Sequence, residues 1–418
     1  MNRRILLIIA YCLGVIVLGL LLYVVFFRPI SPSPNGNANG NENVNGEFPN
    51  LNGGVNRPLN SNGGLPNVND ANANRPTANT NTGPSSIANG GDTTVRTLVS
   101  QNAFASVVDS SGNVLYYDPS TGQFYKLDAS GNVVPMGTTR FPSAEAVVWS
   151  PNRTSAILSF PDDSKVFYDF TTKKQATLPK EAEDFSFAPT GEQIAFKYNA
   201  ANINDRYLVV ANPDGTGMTP IEPLGDIGST VTVSWSPNNQ IVASKTKGVN
   251  GEAQEVVFAG LHGENFKTVV TDGRGFESTW APSGQQLVYS TYSAASNFNP
   301  VLHIVDSQGD RIGGNNRSLD IQTWSDKCTF GTGGTSLFCA VPNSLASGSG
   351  IYRSQASQSA DTFYKIDLTT GVKTQLAVPV GTDGSRQFSA TNLGLSPDGR
   401  TLYFTDAPTG RVLQLTVR

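Results

Sequence analysis

The chain has 418 residues, of which 15% are charged and 38% hydrophobic, and its formal net charge is −4. Residues 1–30 hold three Arg and no acid, so the remainder carries about −7. That balance leaves no broad basic face and argues against nucleic-acid binding, which draws much of its affinity from neutralising phosphates.

Ile5 to Phe27 is a run of 23 residues without a charge. About 20 apolar residues span a bilayer, so the run predicts one transmembrane helix over 5–27. Arg3 and Arg4 precede it and only Arg28 follows. The positive-inside rule then puts residues 1–4 in the cytoplasm and the bulk of the chain outside, as a single-pass protein of the cell membrane. A cleaved signal peptide would have a shorter apolar core and a small-residue exit. This run instead ends in Phe26-Phe27-Arg28-Pro29. A lipid anchor on Cys12 does not fit, because Tyr11 precedes it and apolar sequence continues beyond it.

Residues 28–92 read as a disordered linker. Positions 31–92 include 18 Asn among Gly, Pro, Ser, Ala and Thr, with almost nothing to bury. Ordering such a chain is not repaid by burial. As a flexible coil these 62 residues span about 40–47 Å.

From residue 93 to 418 Val, Tyr, Phe and Thr alternate with Gly, Asp, Asn and Pro turns, the pattern of short strands. A repeated unit emerges. Leu395-Ser396-Pro397-Asp398-Gly399-Arg400-Thr401-Leu402-Tyr403-Phe404 is the clearest copy. Trp280 to Tyr289 and Phe187 to Phe196 match it in register, Trp149 and Trp235 each open a further Ser-Pro-Asn hairpin, and Val108 to Tyr117 and Phe330 to Cys339 complete the set. Each copy is a hairpin: a large apolar residue ends one strand, a tight turn follows, and an apolar run returns. The anchors at 108, 149, 187, 235, 280, 330 and 395 are mostly 40–50 residues apart, the period of a four-stranded propeller blade.

These Ser-Pro-Asp-Gly hairpins resemble the WD40-like repeats of TolB-type propellers and of the propeller domain of dipeptidyl-peptidase-IV-like proteins. The resemblance covers about 93–418 and implies an all-β, seven-bladed β-propeller of four-stranded antiparallel blades. No hydrolase domain follows, which departs from the peptidase pattern. The last blade has candidate strands at Thr391–Leu395, Thr401–Asp406 and Arg411–Val417 and lacks a fourth. Thr94–Val99 has no blade of its own and is predicted to supply it, which removes an open edge.

Of three Cys, Cys12 lies in the membrane run, while Cys328 and Cys339 flank one hairpin. If Gly333-Gly334 is a two-residue turn, Phe330 faces Leu337 and Cys328 faces Cys339. Opposed residues in an antiparallel pair are within disulfide range, so a Cys328–Cys339 bridge is expected, the alternative being two buried thiols. A bridge suits an oxidising exterior.

Motifs for catalysis are scarce. G-x-S-x-G, H-E-x-x-H and P-loop patterns are all missing, which favours binding over catalysis without deciding it. No catalytic residue, metal ligand or cofactor is assigned. His303 lies in an apolar strand and reads as structural, and the Asp109–Asn113 and Asp128–Asn132 stretches read as hairpin turns rather than calcium loops. Loop length is more informative. The link between second and third strands is short in blades one, two and seven but longer at 198–206, 247–254, 291–300 and 342–361. These equivalent links emerge on one face, where the connection at 379–391 joins them. They form a candidate binding rim carrying Tyr198, Arg206, Tyr292, Phe298, Tyr352 and Arg353, residue types suited to interface hot spots. The sequence thus predicts a surface-displayed module for a protein, peptide or glycan. An envelope structural component and a propeller hydrolase or lyase acting at the central channel are the alternatives.

Overall fold

The structure, a computed structural model, describes residues 83–128 and 130–417. The expected cytoplasmic segment at 1–4, the membrane span at 5–27 and most of the linker at 28–92 lie outside the described residues. Among the described residues no helix is long and apolar enough to cross a membrane.

The described fold is all-β, of propeller type. After β1 (Asp92–Val99) come five four-stranded antiparallel sheets. The first holds β2 (Phe104–Val108), β3 (Val114–Asp118), β4 (Gln123–Leu127) and β5 (Val133–Pro135). The second holds β6 (Ala146–Trp149), β7 (Ser155–Ser159), β8 (Lys165–Asp169) and β9 (Gln175–Leu178). The third runs through β10 (Ala182–Phe187), β11 (Ile194–Tyr198), β12 (Tyr207–Ala211) and β13 (Thr219–Pro223). The fourth comprises β14 (Val231–Val233), β15 (Ala243–Gly248), β16 (Ala253–Ala259) and β17 (Val269–Asp272), and the fifth β18 (Arg274–Trp280), β19 (Gln286–Tyr292), β20 (Val301–Asp306) and β21 (Arg317–Ser318). The remaining strands are β22 (Cys328–Phe330), β23 (Ser336–Pro342), β24 (Asp361–Asp367), β25 (Lys373–Gly381), β26 (Ala390–Leu395), β27 (Thr401–Asp406) and β28 (Val412–Thr416). With β1 they form one eight-stranded sheet in the order β22-β23-β24-β25-β1-β28-β27-β26.

Second strands such as β3 and β23 are largely apolar because both faces are buried. Side chains alternate across a strand, so Val114 and Tyr116 enter one apolar cluster while Leu115 and Tyr117 enter the next. In β23, Leu337 and Cys339 face one way and Phe338 and Ala340 the other. Each cluster lies between successive sheets. One spans β2–β5 and β6–β9, and the last unites Val99 and Val412 with Val114, Tyr116 and Leu127, which brings the chain's end back to the first sheet.

The repeat signature has a direct physical cause. Where Ser follows the anchor its hydroxyl locks the turn, accepting the N–H of Ser155 at Ser150, of Ile241 at Ser236 and of Thr401 at Ser396, at 2.9–3.0 Å. It also donates to the Asn or Asp two residues on, as from Ser236 to Asn238 at 2.7 Å. The turns pack on one another: Asn238 donates to the Gly284 carbonyl at 3.0 Å, and a Cβ on Gly284 would fall 2.7 Å from Asn238. The anchor Trp residues tie neighbouring sheets, Trp149 Nε1 donating to Ala105 O at 2.8 Å and Trp280 Nε1 to Ser234 Oγ at 2.9 Å.

The closing strand is present with an addition. Arg96 and Thr97 of β1 pair antiparallel with Gln414 and Leu413, which supplies the strand missing beside β28. Asp92 to Val95 pair in parallel with Val378 to Gly381, so β1 also bonds the preceding strands. Backbone before it is tied in as well: Ala88 N donates to Thr416 O and Gly90 N to Leu376 O, both at 2.9 Å. The expected linker–head boundary at 92/93 therefore falls inside a hydrogen-bonded stretch.

Cys328 pairs with Cys339 and Phe330 with Leu337 in the ladder, and the two Cys form a buried disulfide with Cα atoms 4.1 Å apart. The turn is wider than the expected Gly333-Gly334 pair. Gly331 N donates to Ser336 O and Gly334 N to Gly331 O, which leaves the register unchanged because the wider turn has the same centre.

Candidate functional site

First strands of successive sheets are neighbours, β26 beside β2, β2 beside β6, β6 beside β10 and β10 beside β14. Their starting ends and the loops between second and third strands lie on one side of the sheets. Four first strands are bulged there, with Ala105, Asp184, Gly275 and Asn392 at φ of 51°, 56°, 70° and 50°. Bulges of this kind re-aim side chains at a rim.

The longer loops interlock. In 291–300, the Ser296 hydroxyl donates to Asn299 O at 2.7 Å and accepts the Ser293 N–H at 3.2 Å. This tight coil places Asn297 and Phe298 in left-handed backbone at φ 54° and 56°, which costs an ordinary residue about 1–2 kcal/mol. Loop 342–361 docks on it, with Gly348 N donating to Asn297 O at 2.9 Å and Gly350 N to Phe298 O at 2.8 Å. Close approach requires the glycines: a Cβ on Gly350 would sit 2.7 Å from both Phe298 O and Tyr292 Cβ. The Glu252 carboxylate accepts the Ala294 N–H at 3.2 Å and joins the neighbouring loop. That neighbour is shorter than expected, because strand pairing extends to Gly248 and Gln254 and leaves only 249–252 as loop.

Of the candidate rim residues, the structure brings Tyr292, Phe298, Tyr352 and Arg353 together. Phe298 and Tyr352 are exposed, at 40% and 63%. Tyr292 is held between Gly275 and Gly350 and serves as packing. Tyr198 packs on the core between the second and third sheets. Arg206 belongs to the same loop as Tyr198 and donates Nε to Ala200 O at 2.8 Å, closing its own loop.

Arg353 has partners that the sequence reading missed. Its guanidinium lies 4.8 Å from the Trp324 ring centroid, donates from Nη2 to both Asp326 oxygens at 2.7 Å and from Nη1 to Glu277 Oε2 at 3.3 Å. Burial pushes the Glu277 carboxyl above its ordinary pKa against the pull of Arg353, and the Asp326 charge adds to the rise. Glu277 and Asp326 lie three and four residues before the repeat anchors Trp280 and Phe330; that position in the repeat was the available signal. Nothing local marked Trp324. Lys197 plays a related part in the third sheet, 3.4 Å from Asp184 and 3.7 Å from Glu183.

An open groove of about 570 Å³ between Arg140–Pro142 and Phe160–Ser164 shares no residue with this platform. His303 is buried and stacked on Tyr289, with ring centroids 4.9 Å apart. Asp109 accepts the N–H groups of Ser111 and Asn113 within its own turn. Among the described residues no group of three or more His, Cys, Asp or Glu is placed to hold a metal.

No family model and no curated sequence matches the chain. Solved structures similar to it include an oligogalacturonate lyase from Vibrio parahaemolyticus, at TM-score 0.47 and 12% identity over 78% of this chain and 93% of that one. Another is the β-propeller domain of Cps50 (Swd1) from Myceliophteria thermophila, at TM-score 0.49 and 10% identity over 78% of this chain and all of that one. A third is the hydrazine synthase of Kuenenia stuttgartiensis, at TM-score 0.46 and 14% identity over 76% and 96%.

Proposed function

We propose that the chain is a membrane-anchored, extracytoplasmic binding or scaffold module. Its head is read as a seven-bladed propeller in which β1 joins the last two blades, and the loops over blades three to six meet a protein, peptide or glycan. One observation carries this reading. Each of the three long loops exposes a large apolar side chain: Ile203, Phe298, and Ile351 with Tyr352. Of the equivalent short links, 119–122, 160–164 and 407–411 expose none and 249–252 exposes only Val249. Loops on a rigid scaffold are where recognition concentrates, and exposed apolar residues grouped on one face mark interaction sites. The buried disulfide suits an oxidising compartment.

The test uses the full-length chain, purified in detergent, to capture partners from envelope extract. A second form has 342–361 shortened to a tight turn. A partner held by the first and lost by the second, with the fold retained, supports the rim. Equal capture by both forms rejects this loop as the binding element. Capture by neither turns attention to catalysis at the central mouth.

A further inference from the structure

Resting on that reading, we propose that the platform of 291–300 and 342–361 takes a polypeptide segment with a Lys or Arg beside an apolar residue. The cation pairs with Glu277, and the apolar side chain lies on Phe298, Ile351 and Tyr352. The charges argue for this occupant. Two carboxylates, Glu277 and Asp326, share one cation, Arg353, which places Nη2 on both Asp326 oxygens and Nη1 on Glu277 and leaves the cluster one negative charge in excess. Glu277 keeps a single 3.3 Å contact, and half of its side chain is open to solvent. A second cation would complete the pairing, whereas an acidic segment would meet two like charges and be rejected.

Arg353 already bridges both carboxylates and has no further charge to offer. Its guanidinium is fixed over Trp324, and its backbone follows the Gly350–Tyr352 stretch that is bonded to Phe298. The apolar half of the site is equally fixed. Phe298 is displayed from left-handed backbone, Gly350 N holds its carbonyl, and Ile351 and Tyr352, at 46% and 63% exposure, follow directly in the chain. A strained, exposed aromatic held by close-packed glycines is preorganised for contact.

The probes are three dye-labelled peptides, Gly-Lys-Leu-Lys-Gly and its Gln and Glu counterparts, with empty micelles as control. Fluorescence anisotropy with the full-length chain at low salt should show the Lys peptide binding about tenfold tighter than the Gln peptide. Rising salt should shrink that preference. Glu277→Gln, a near-isosteric change at an exposed carboxylate, should abolish the preference, and Phe298→Ser with Tyr352→Ser should weaken the Lys and Gln peptides alike. Equal affinities for all three peptides, no binding of any, or a preference that survives Glu277→Gln overturns the proposal. If loop shortening abolishes partner capture while Glu277→Gln is silent in both assays, the rim stands and the cationic ligand falls.

Discussion

Lys327 Nζ lies 2.7 Å from Asp361 Oδ2 and 3.0 Å from Oδ1, with both residues almost wholly buried. The pair joins the start of β22 to the start of β24, and Asp361 Oδ2 also accepts the Ala390 N–H at 2.6 Å, reaching β26. A buried ion pair is costly to break because the abandoned partner keeps its charge in a poor solvent. Lys327→Met and Asp361→Asn should each lower stability by about 3–5 kcal/mol. The double substitution should cost clearly less than their sum, read from urea midpoints in a double-mutant cycle. Additive losses would show that the two groups do not act as a pair.

The contrast between this pair and the disulfide shows what the sequence carried. Cys328 and Cys339 flank a repeat hairpin, so turn symmetry alone puts them opposite each other, and a wider turn leaves the pairing intact. The strand at Thr94–Val99 was legible because the final repeat lacked one. Lys327 and Asp361 are 34 residues apart with a long loop between them, and no local pattern relates them. Glu277, Trp324 and Asp326 escaped for a similar reason: they precede the anchors, where a bulge at Glu277 and a 3-10 turn over Ser325–Lys327 interrupt the alternation. Of the bulge residues, Gly275, Asp184 and Asn392 are types that visit positive φ, whereas Ala105 is not. At two of the bulges the neighbouring sheet bonds to the bulge residue, Trp149 Nε1 to Ala105 O and Val233 N to Asp184 Oδ2.

That dependence can be tested at two matched positions. Gly275 has φ 70°, and a Cβ there would fall 2.2 Å from the Tyr292 ring. Gly275→Ala should destabilise the fold by about 1–3 kcal/mol and disturb the 291–300 loop. Ala105 occupies the same bulge position at φ 51°. Ala105→Gly relieves left-handed strain at some entropic cost, so a change between zero and about 1 kcal/mol of stabilisation is expected. Melting temperatures of the two variants should therefore move apart. A matching loss at both sites would mean that Ala105 is held by its methyl packing rather than tolerated despite its backbone.

His303 supplies a pH dependence. Burial holds its pKa below the ordinary imidazole value, outweighing the opposing charges of Asp272 and Asp320. The unfolded chain therefore takes up a proton near pH 6.5 while the folded chain remains neutral at this site. Stability from this group is complete above about pH 6.5 and is lost as pH falls below it. The melting temperature should drop more between about pH 7.5 and about pH 5.5 in the native chain than in His303→Phe, which keeps the stack on Tyr289. Parallel curves would remove His303 as the titrating group.

The double pairing of β1 makes the sharpest claim about assembly. Thr93, Val95 and Val99 are buried to 2% exposure or less, and Val95 sits in the cluster that also holds Ala377 and Leu413, from β25 and β28. Val95→Asp would put an unpaired carboxylate there, at a cost of about 3 kcal/mol or more. If β1 is one cooperative element, hydrogen exchange should rise together in Lys373–Gly381 and Val412–Thr416, while the sheet of β14–β17 keeps its protection. Val133→Asp, in the exposed edge strand β5, should change stability by no more than about 0.5 kcal/mol. Loss of protection in Val412–Thr416 alone would mean that the parallel ladder to β25 is incidental, and that β1 closes the fold through β28 only. Loss in both strands would mean that the segment leading out of the head holds two sheets at once, so that a pull on the N-terminal side of the chain would act on both.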